Sequence, residues 1–192
     1  MSAAGKPQGD RPPGGAAHSA VRGEPASAGE HPLVAMIGRF YAALGRRDAA
    51  TMVACYHPDA EFSDPVFPRL DRAGVAAMWG MLCARGKDLA VDASAIAADD
   101  ASGQAHWVAT YTFAATGRRV VNRIDARFVF RDGLILRHED RFDLRRWMRQ
   151  ALGWKGLLLG WLPAARRGVQ AQAARALDAW RAQRAPAPPA AL

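Results

Sequence analysis

The chain has 192 residues, half of them apolar, with 26 Lys and Arg against 18 Asp and Glu and only two cysteines. That apolar share can bury a core, which excludes wholesale disorder, and the length suits one domain with tails. Cys55 and Cys83 belong to no CxxC or Cys/His cluster, so a disulfide-built secreted scaffold and a zinc site are both excluded. They read as reduced, buried thiols of a cytoplasmic protein.

The formal charge of +8 is uneven along the chain. Residues 1–32 and 33–143 are balanced, whereas residues 144–192 carry nine basic side chains against one acidic. A neutral body lacks the basic docking face that phosphates need, which argues against a nucleic-acid-binding domain.

Residues 1–32 are rich in Pro, Gly, Ala and Ser without apolar periodicity. They read as a disordered leader, with no continuous apolar stretch of the signal-peptide kind. Leu33, Met36, Ile37, Phe40, Tyr41 and Leu44 then form one stripe of an amphipathic helix that Gly45 ends. Asp48 caps a short second helix carrying Met52, Val53 and Tyr56. After His57-Pro58-Asp59, residues Ala60 to Asp64 alternate as a short strand that Pro65 stops. Val75, Met78, Trp79, Leu82 and Cys83 mark a third helix.

From Leu89 the apolar period changes to two. Leu89–Ala98, Gln104–Ala115, Arg119–Arg131 and Leu134–Asp143 read as four strands, with Thr116-Gly117-Arg118 and Asp132-Gly133 as short hairpin turns. Helices followed by antiparallel strands predict an α+β domain over 33–152, its helices covering one face of a curved antiparallel sheet. Residues 153–184 supply an apolar link and a basic C-terminal helix, and 185–192 a disordered tail. The longest apolar run, residues 156–165, is broken by Gly160 and Pro163 and is too short to span a bilayer. In the last helix Val169, Ala173, Ala176, Leu177 and Trp180 form a narrow stripe among Arg166, Arg167, Arg175, Arg181 and Arg184. It either packs on the domain or rests on an anionic membrane surface, and its alanines favour packing.

Alternation also gives each side chain a direction. Leu134, Leu136, His138, Asp140 and Phe142 share one face of the last strand, and Ala60, Phe62 and Asp64 one face of the first. Trp107, Ala109, Tyr111 and Phe113 form an aromatic inner face, as do Ile124, Ala126, Phe128 and Phe130. Asp64, His138 and Asp140 therefore look into an aromatic hollow. A carboxyl desolvated there has a raised pKa and can trade protons near neutrality, while His138 and Asp140 are spaced to pair. Equally, Asp64-Pro65 can be only a turn, and His138 with Asp140 only a satisfied structural pair. His57 and His106 read as ordinary loop and exterior histidines.

Segments 38–48 (GRFYAALGRRD), 54–67 (ACYHPDAEFSDPVF), 75–82 (VAAMWGML) and 127–143 (RFVFRDGLILRHEDRFD) resemble the SnoaL-like branch of the nuclear transport factor 2 superfamily. The resemblance covers about residues 33–152 and implies a cone-shaped fold around a ligand pocket. Asp64 matches the general-base aspartate of the ketosteroid isomerases. Their helix tyrosine falls at Phe40, beside Tyr41, and their oxyanion-hole aspartate near Ala126, with Asp125 on the opposite face. Without those donors steroid isomerisation is disfavoured. Asp140 matches an acid/base aspartate of limonene epoxide hydrolases, whose Arg-x-Asp is replaced around Trp107 and Ala109, which disfavours epoxide hydrolysis. What remains is similar in kind to the polyketide cyclases: Asp64, His138 and Asp140 as catalytic candidates, and Phe40, Tyr41, Tyr56, Trp79, Trp107, Tyr111 and Phe128 as a substrate-binding wall. The expectation is a small lipophilic ligand and cofactor-free acid/base chemistry, with no metal. The alternatives are a non-catalytic carrier, or a homodimeric association module using an outer sheet face with Arg123, Asp125 and Arg127.

Overall fold

The computed structural model describes residues 31–154 and 163–184. The expected leader up to residue 30, the apolar link at 155–162 and the tail at 185–192 lie outside the described residues. Helix α1 (Pro32–Gly45) starts one residue before the expected boundary, with a proline in its first turn where the missing N–H costs nothing, and His31 Nδ1 accepts from the Leu33 N–H at 3.2 Å. All six residues of the expected stripe are buried. Helix α2 (Ala49–Ala54) is capped by Asp48, which accepts from the Thr51 N–H at 3.0 Å. Tyr56 does not lie on it, because Cys55 closes the helix and Tyr56 opens strand β1 (Tyr56–Ser63). In β1 the register jumps from Tyr56 to Glu61, so Pro58, which cannot donate, sits in the irregular stretch.

Helix α3 (Arg72–Arg85) is capped by Asp71. Leu82 is exposed and Met81 is buried instead. This helix contacts β1 as well as the C-terminal helix, so its buried surface is wider than one stripe. Strands β2 (Ala90–Ala98), β3 (Ser102–Phe113), β4 (Arg118–Arg131) and β5 (Leu134–Arg141) complete a curved, open sheet in the order β1-β5-β4-β3-β2. The sheet is antiparallel except where β1 lies parallel to β5. Parallel neighbours need a long crossover, and α3 with three strands provides it. Asp132 and Gly133 both have positive φ, the conformation a tight hairpin of the right twist requires.

In β5 the inner row departs from strict alternation. Val129 pairs with Arg137 but Phe130 with Ile135, leaving Leu136 as an extra residue in a bulge. Ile135 is consequently buried in place of Leu134 and Leu136, while His138 and Asp140, beyond the bulge, still face inward. Asp143 does not continue the strand. It caps helix α4 (Leu144–Leu152), accepting from the N–H groups of Arg145 and Arg146. Cys55 and Cys83 are free and buried.

Helix α5 (Pro163–Ala182) turns its stripe towards the domain: Leu177 is 3 % exposed, the Trp180 indole lies against Gly80, and Gln170 Nε2 donates to the Pro65 carbonyl at 3.0 Å. Arg166, Arg167 and Arg175 remain exposed. No described helix is long and apolar enough to cross a membrane. Truncating Leu177 to Ala should cost about 2–3 kcal/mol by chemical denaturation, whereas Arg175→Ala should stay within about 0.5 kcal/mol of the parent. Equal effects would show that α5 is not held by its stripe.

Candidate functional site

Strand β5 carries His138, with none of its surface exposed, and two residues on Asp140, 4 % exposed. Around the imidazole stand Phe40, Phe62 and Phe128, with ring centroids 5.7, 5.1 and 4.5 Å away, and Tyr56 and Trp79 stack beside it. Phe62 reaches this position because it is the register partner of His138 across the parallel β1–β5 pair. Phe40, Tyr56, Trp79 and Phe128 therefore seal the histidine rather than line an open wall. Phe62 was not among the expected wall residues. Its inward parity was legible, but its neighbour across the sheet depends on a pairing no local pattern encodes.

Both ring nitrogens of His138 are engaged. Trp79 Nε1 donates to the Tyr56 hydroxyl at 3.0 Å, and that hydroxyl lies 2.6 Å from His138 Nδ1. His138 Nε2 is 3.1 Å from Asp140 Oδ1, which also accepts from Trp107 Nε1 at 3.3 Å. An indole N–H can only donate. With Trp79 occupying an acceptor position on Tyr56, the phenol proton is free to go to Nδ1. The imidazole proton then stands on Nε2 and points at Asp140, whose Oδ1 accepts from both sides. Oδ2 of Asp140 makes no hydrogen bond within the described structure.

Asp64 follows β1. Its Oδ1 accepts from the N–H groups of Val66, at 2.6 Å, and Phe67, while its own N–H donates to the Phe67 carbonyl at 2.9 Å. The Asp-Pro step is thus a turn, closed by the Asp64 side chain itself. The same carboxyl is half-buried, and its Oδ2 is not used in the turn. Desolvation pushes its pKa up to about 7, with the Asp140 charge adding to the rise and the two N–H groups opposing it.

Two tyrosines complete the inner surface. Tyr111 is half-buried, and its hydroxyl accepts from Trp147 Nε1 of α4 at 2.8 Å. Burial raises its pKa, and the Asp64 charge adds to the rise. Tyr41 is 3 % exposed, its ring 5.5 Å from that of Trp107, and its hydroxyl is buried without any hydrogen-bond partner. Burial, then Asp140 and Tyr56, hold its pKa well above the usual phenol value.

His106 points outward and pairs with Asp125 at 2.8 Å. His57 is flanked by Asp59 and Asp132 at the surface. Among the described residues no three His, Cys, Asp or Glu side chains gather as a metal site would need. Arg123, Asp125 and Arg127 lie on the outer sheet face, as expected from parity. Beside them an open cleft of about 670 Å³ is lined by residues including Ser102, Gln104, Arg127, Arg137 and Glu139.

Comparison with known proteins agrees with this architecture. The family model of the SnoaL-like domain matches residues 37–138. Among solved structures, a candidate polyketide cyclase from Xanthomonas campestris pv. campestris is 23% identical, with 62% of this chain and 96% of that one covered and a TM-score of 0.51. IdmH, a candidate polyketide cyclase from Streptomyces antibioticus, is 22% identical over 62% and 98% of the two chains, with a TM-score of 0.54. An LEH-like epoxide hydrolase from M. tuberculosis is 21% identical over 69% and 96%, with a TM-score of 0.52. At these identities the likeness is one of fold. No curated protein matches the chain.

The buried groups have consequences for stability. Folded Asp64 keeps its proton up to about pH 7 and the unfolded residue releases it near pH ~4, so the folded state is favoured fully below pH ~4 and progressively less as pH rises through 7. Asp64→Asn, which keeps the turn's acceptor, should flatten that slope and raise unfolding free energy at pH 8 by about 1–2 kcal/mol. Tyr56→Phe should instead destabilise by about 2–3 kcal/mol, since it strands the Trp79 donor and the His138 acceptor. Urea titrations across pH 4–8 read both, and a parent slope of zero or opposite sign would refute the Asp64 assignment.

Proposed function

The chain belongs to the SnoaL-like domain family, and from that premise we infer that it binds a small lipophilic molecule between helices and sheet and performs cofactor-free acid/base chemistry on it. What supports this reading is the presence of two dissimilar carboxyls in the interior, half-buried Asp64 at the end of β1 and buried Asp140 on β5. Asp64 is poised near neutrality by burial, and Asp140 is held as a hydrogen-bond acceptor by Trp107 and His138. A base whose pKa lies near the working pH is ionised often enough to accept a proton and basic enough to hold it. Asp64 is the base in this reading, taking a proton from a carbon made acidic by a neighbouring carbonyl.

Asp140 presents its unengaged Oδ2 to the ligand and orients it. His138 has no free nitrogen and no exposed surface, so it acts through Asp140 as a positioning residue and does not itself donate to the ligand oxygen. The cyclases among the structural neighbours favour a ring closure through an enolate as the reaction class. Asp64 and Asp140 both remain consistent with an isomerase or hydratase.

Molecules co-purifying with the protein would be identified by mass spectrometry and assayed for turnover with the parent, Asp64→Asn and Asp140→Asn. Asp64→Asn should lower turnover by about 10²-fold or more and abolish the rise of rate through pH 7, with binding little changed. Binding by the parent with no turnover would make the protein a carrier, and unchanged turnover in both variants would remove the site.

A further inference from the structure

We propose that Tyr41 and Asp140 together form a receptor for a hydroxyl group, so that the ligand is a phenol, an enol or an alcohol and not a simple ketone, ether or carboxylate. The proposal rests on the reading of the interior as a ligand site and specifies what that site selects.

Tyr41 Oη is the one buried side-chain polar atom among the described residues without a hydrogen-bond partner. Buried polar groups are nearly always satisfied, and an orphan one marks a place where something else completes the structure. Its surroundings say what. The Tyr41 ring lies 5.5 Å from that of Trp107, and the Trp107 indole donates to Asp140 Oδ1. Asp140 Oδ1 already accepts two N–H groups, while its Oδ2 makes no hydrogen bond among the described residues. Tyr41 and Asp140 thus both lie against Trp107, and the electrostatic influence of Asp140 reaches the Tyr41 phenol.

A single ligand oxygen satisfies both only if it accepts from Tyr41 and donates to Asp140, which requires an O–H. A ketone or ether oxygen can take the phenol proton but presents lone pairs to a carboxylate, and a ligand carboxylate adds charge repulsion. The residue at the isomerase tyrosine position is Phe40, which packs on His138. The Tyr41 hydroxyl is thus one position removed and directed at a different partner.

The probes are 4-fluorophenol and its methyl ether 4-fluoroanisole, titrated against the parent and Tyr41→Phe by ¹⁹F NMR, with thermal unfolding recorded for both proteins without ligand. The parent should bind the phenol about tenfold more tightly than the ether. Tyr41→Phe should reduce that ratio to between one and three by weakening the phenol alone, and should unfold at a higher temperature than the parent, because it deletes an unsatisfied hydroxyl and keeps the ring. Equal binding of the two probes by the parent, a ratio unchanged by the substitution, or a less stable variant would overturn the hydroxyl receptor while leaving the acid/base reading in place. Failure of the parent to bind either probe would overturn both.

Discussion

Two indole N–H groups, one at each end of a buried chain of polar atoms, dictate the state of everything between them. Trp79 and Trp107 can donate and nothing else. Because Trp79 feeds Tyr56 and Trp107 feeds Asp140, the polarity from the phenol through the imidazole to the carboxylate follows without further choice. Reversing it would leave the phenol hydrogen with no acceptor and the carboxyl oxygen facing competing donors. Five aromatic rings close over His138 and keep water from relaxing this order. In so dry a setting satisfied hydrogen bonds are strengthened and unsatisfied ones are costly. That is why one unpartnered hydroxyl in the same interior carries so much information.

The family scaffold is retained while its polar equipment is redistributed. Register places Ala126 of β4 directly opposite Asp140 of β5. Asp140 thus sits across the strand pair from the position where isomerases are expected to carry a carboxyl. Trp107 occupies the strand where epoxide hydrolases are expected to carry a charged pair, and it supplies a neutral donor to the same aspartate. In this chain Oδ1 of Asp140 is held by hydrogen bonds from Trp107 and His138.

Much of this was legible in the sequence, and the limits have identifiable causes. The inner rows of β3 and β4 follow from period two alone, since these two strands pair with each other without interruption. His138 and Asp140 were correctly aimed because both lie on the same side of the β5 bulge. Leu134 and Leu136 were not, because they lie before or within it. Helical spacing from Met52 and Val53 places Tyr56 on the helix, but Cys55 caps that helix and Tyr56 opens β1. The parallel seat of β1 beside β5, and hence the place of Phe62, depends on contacts between residues some 75 positions apart, which no window of sequence contains. The turn and the raised pKa of Asp64 belong to one carboxyl, whose Oδ1 accepts the two turn N–H groups while burial drives the pKa up. In α5 the stripe was visible, but not what it covers, because Gly80 and Pro65 belong to distant segments.

The spare residue at Leu136 has a consequence for how this strand is compared with others. Upstream of it the inner row contains Ile135, and downstream it contains His138 and Asp140, an odd interval that only a bulge reconciles. A relative whose strand runs straight can present the same three groups with one residue fewer. Sliding β5 as an unbroken string against such a relative aligns either the aliphatic residue or the polar pair, never both. A gap opened at position 136 restores the whole row, bringing the aliphatic residue and the polar pair into line together.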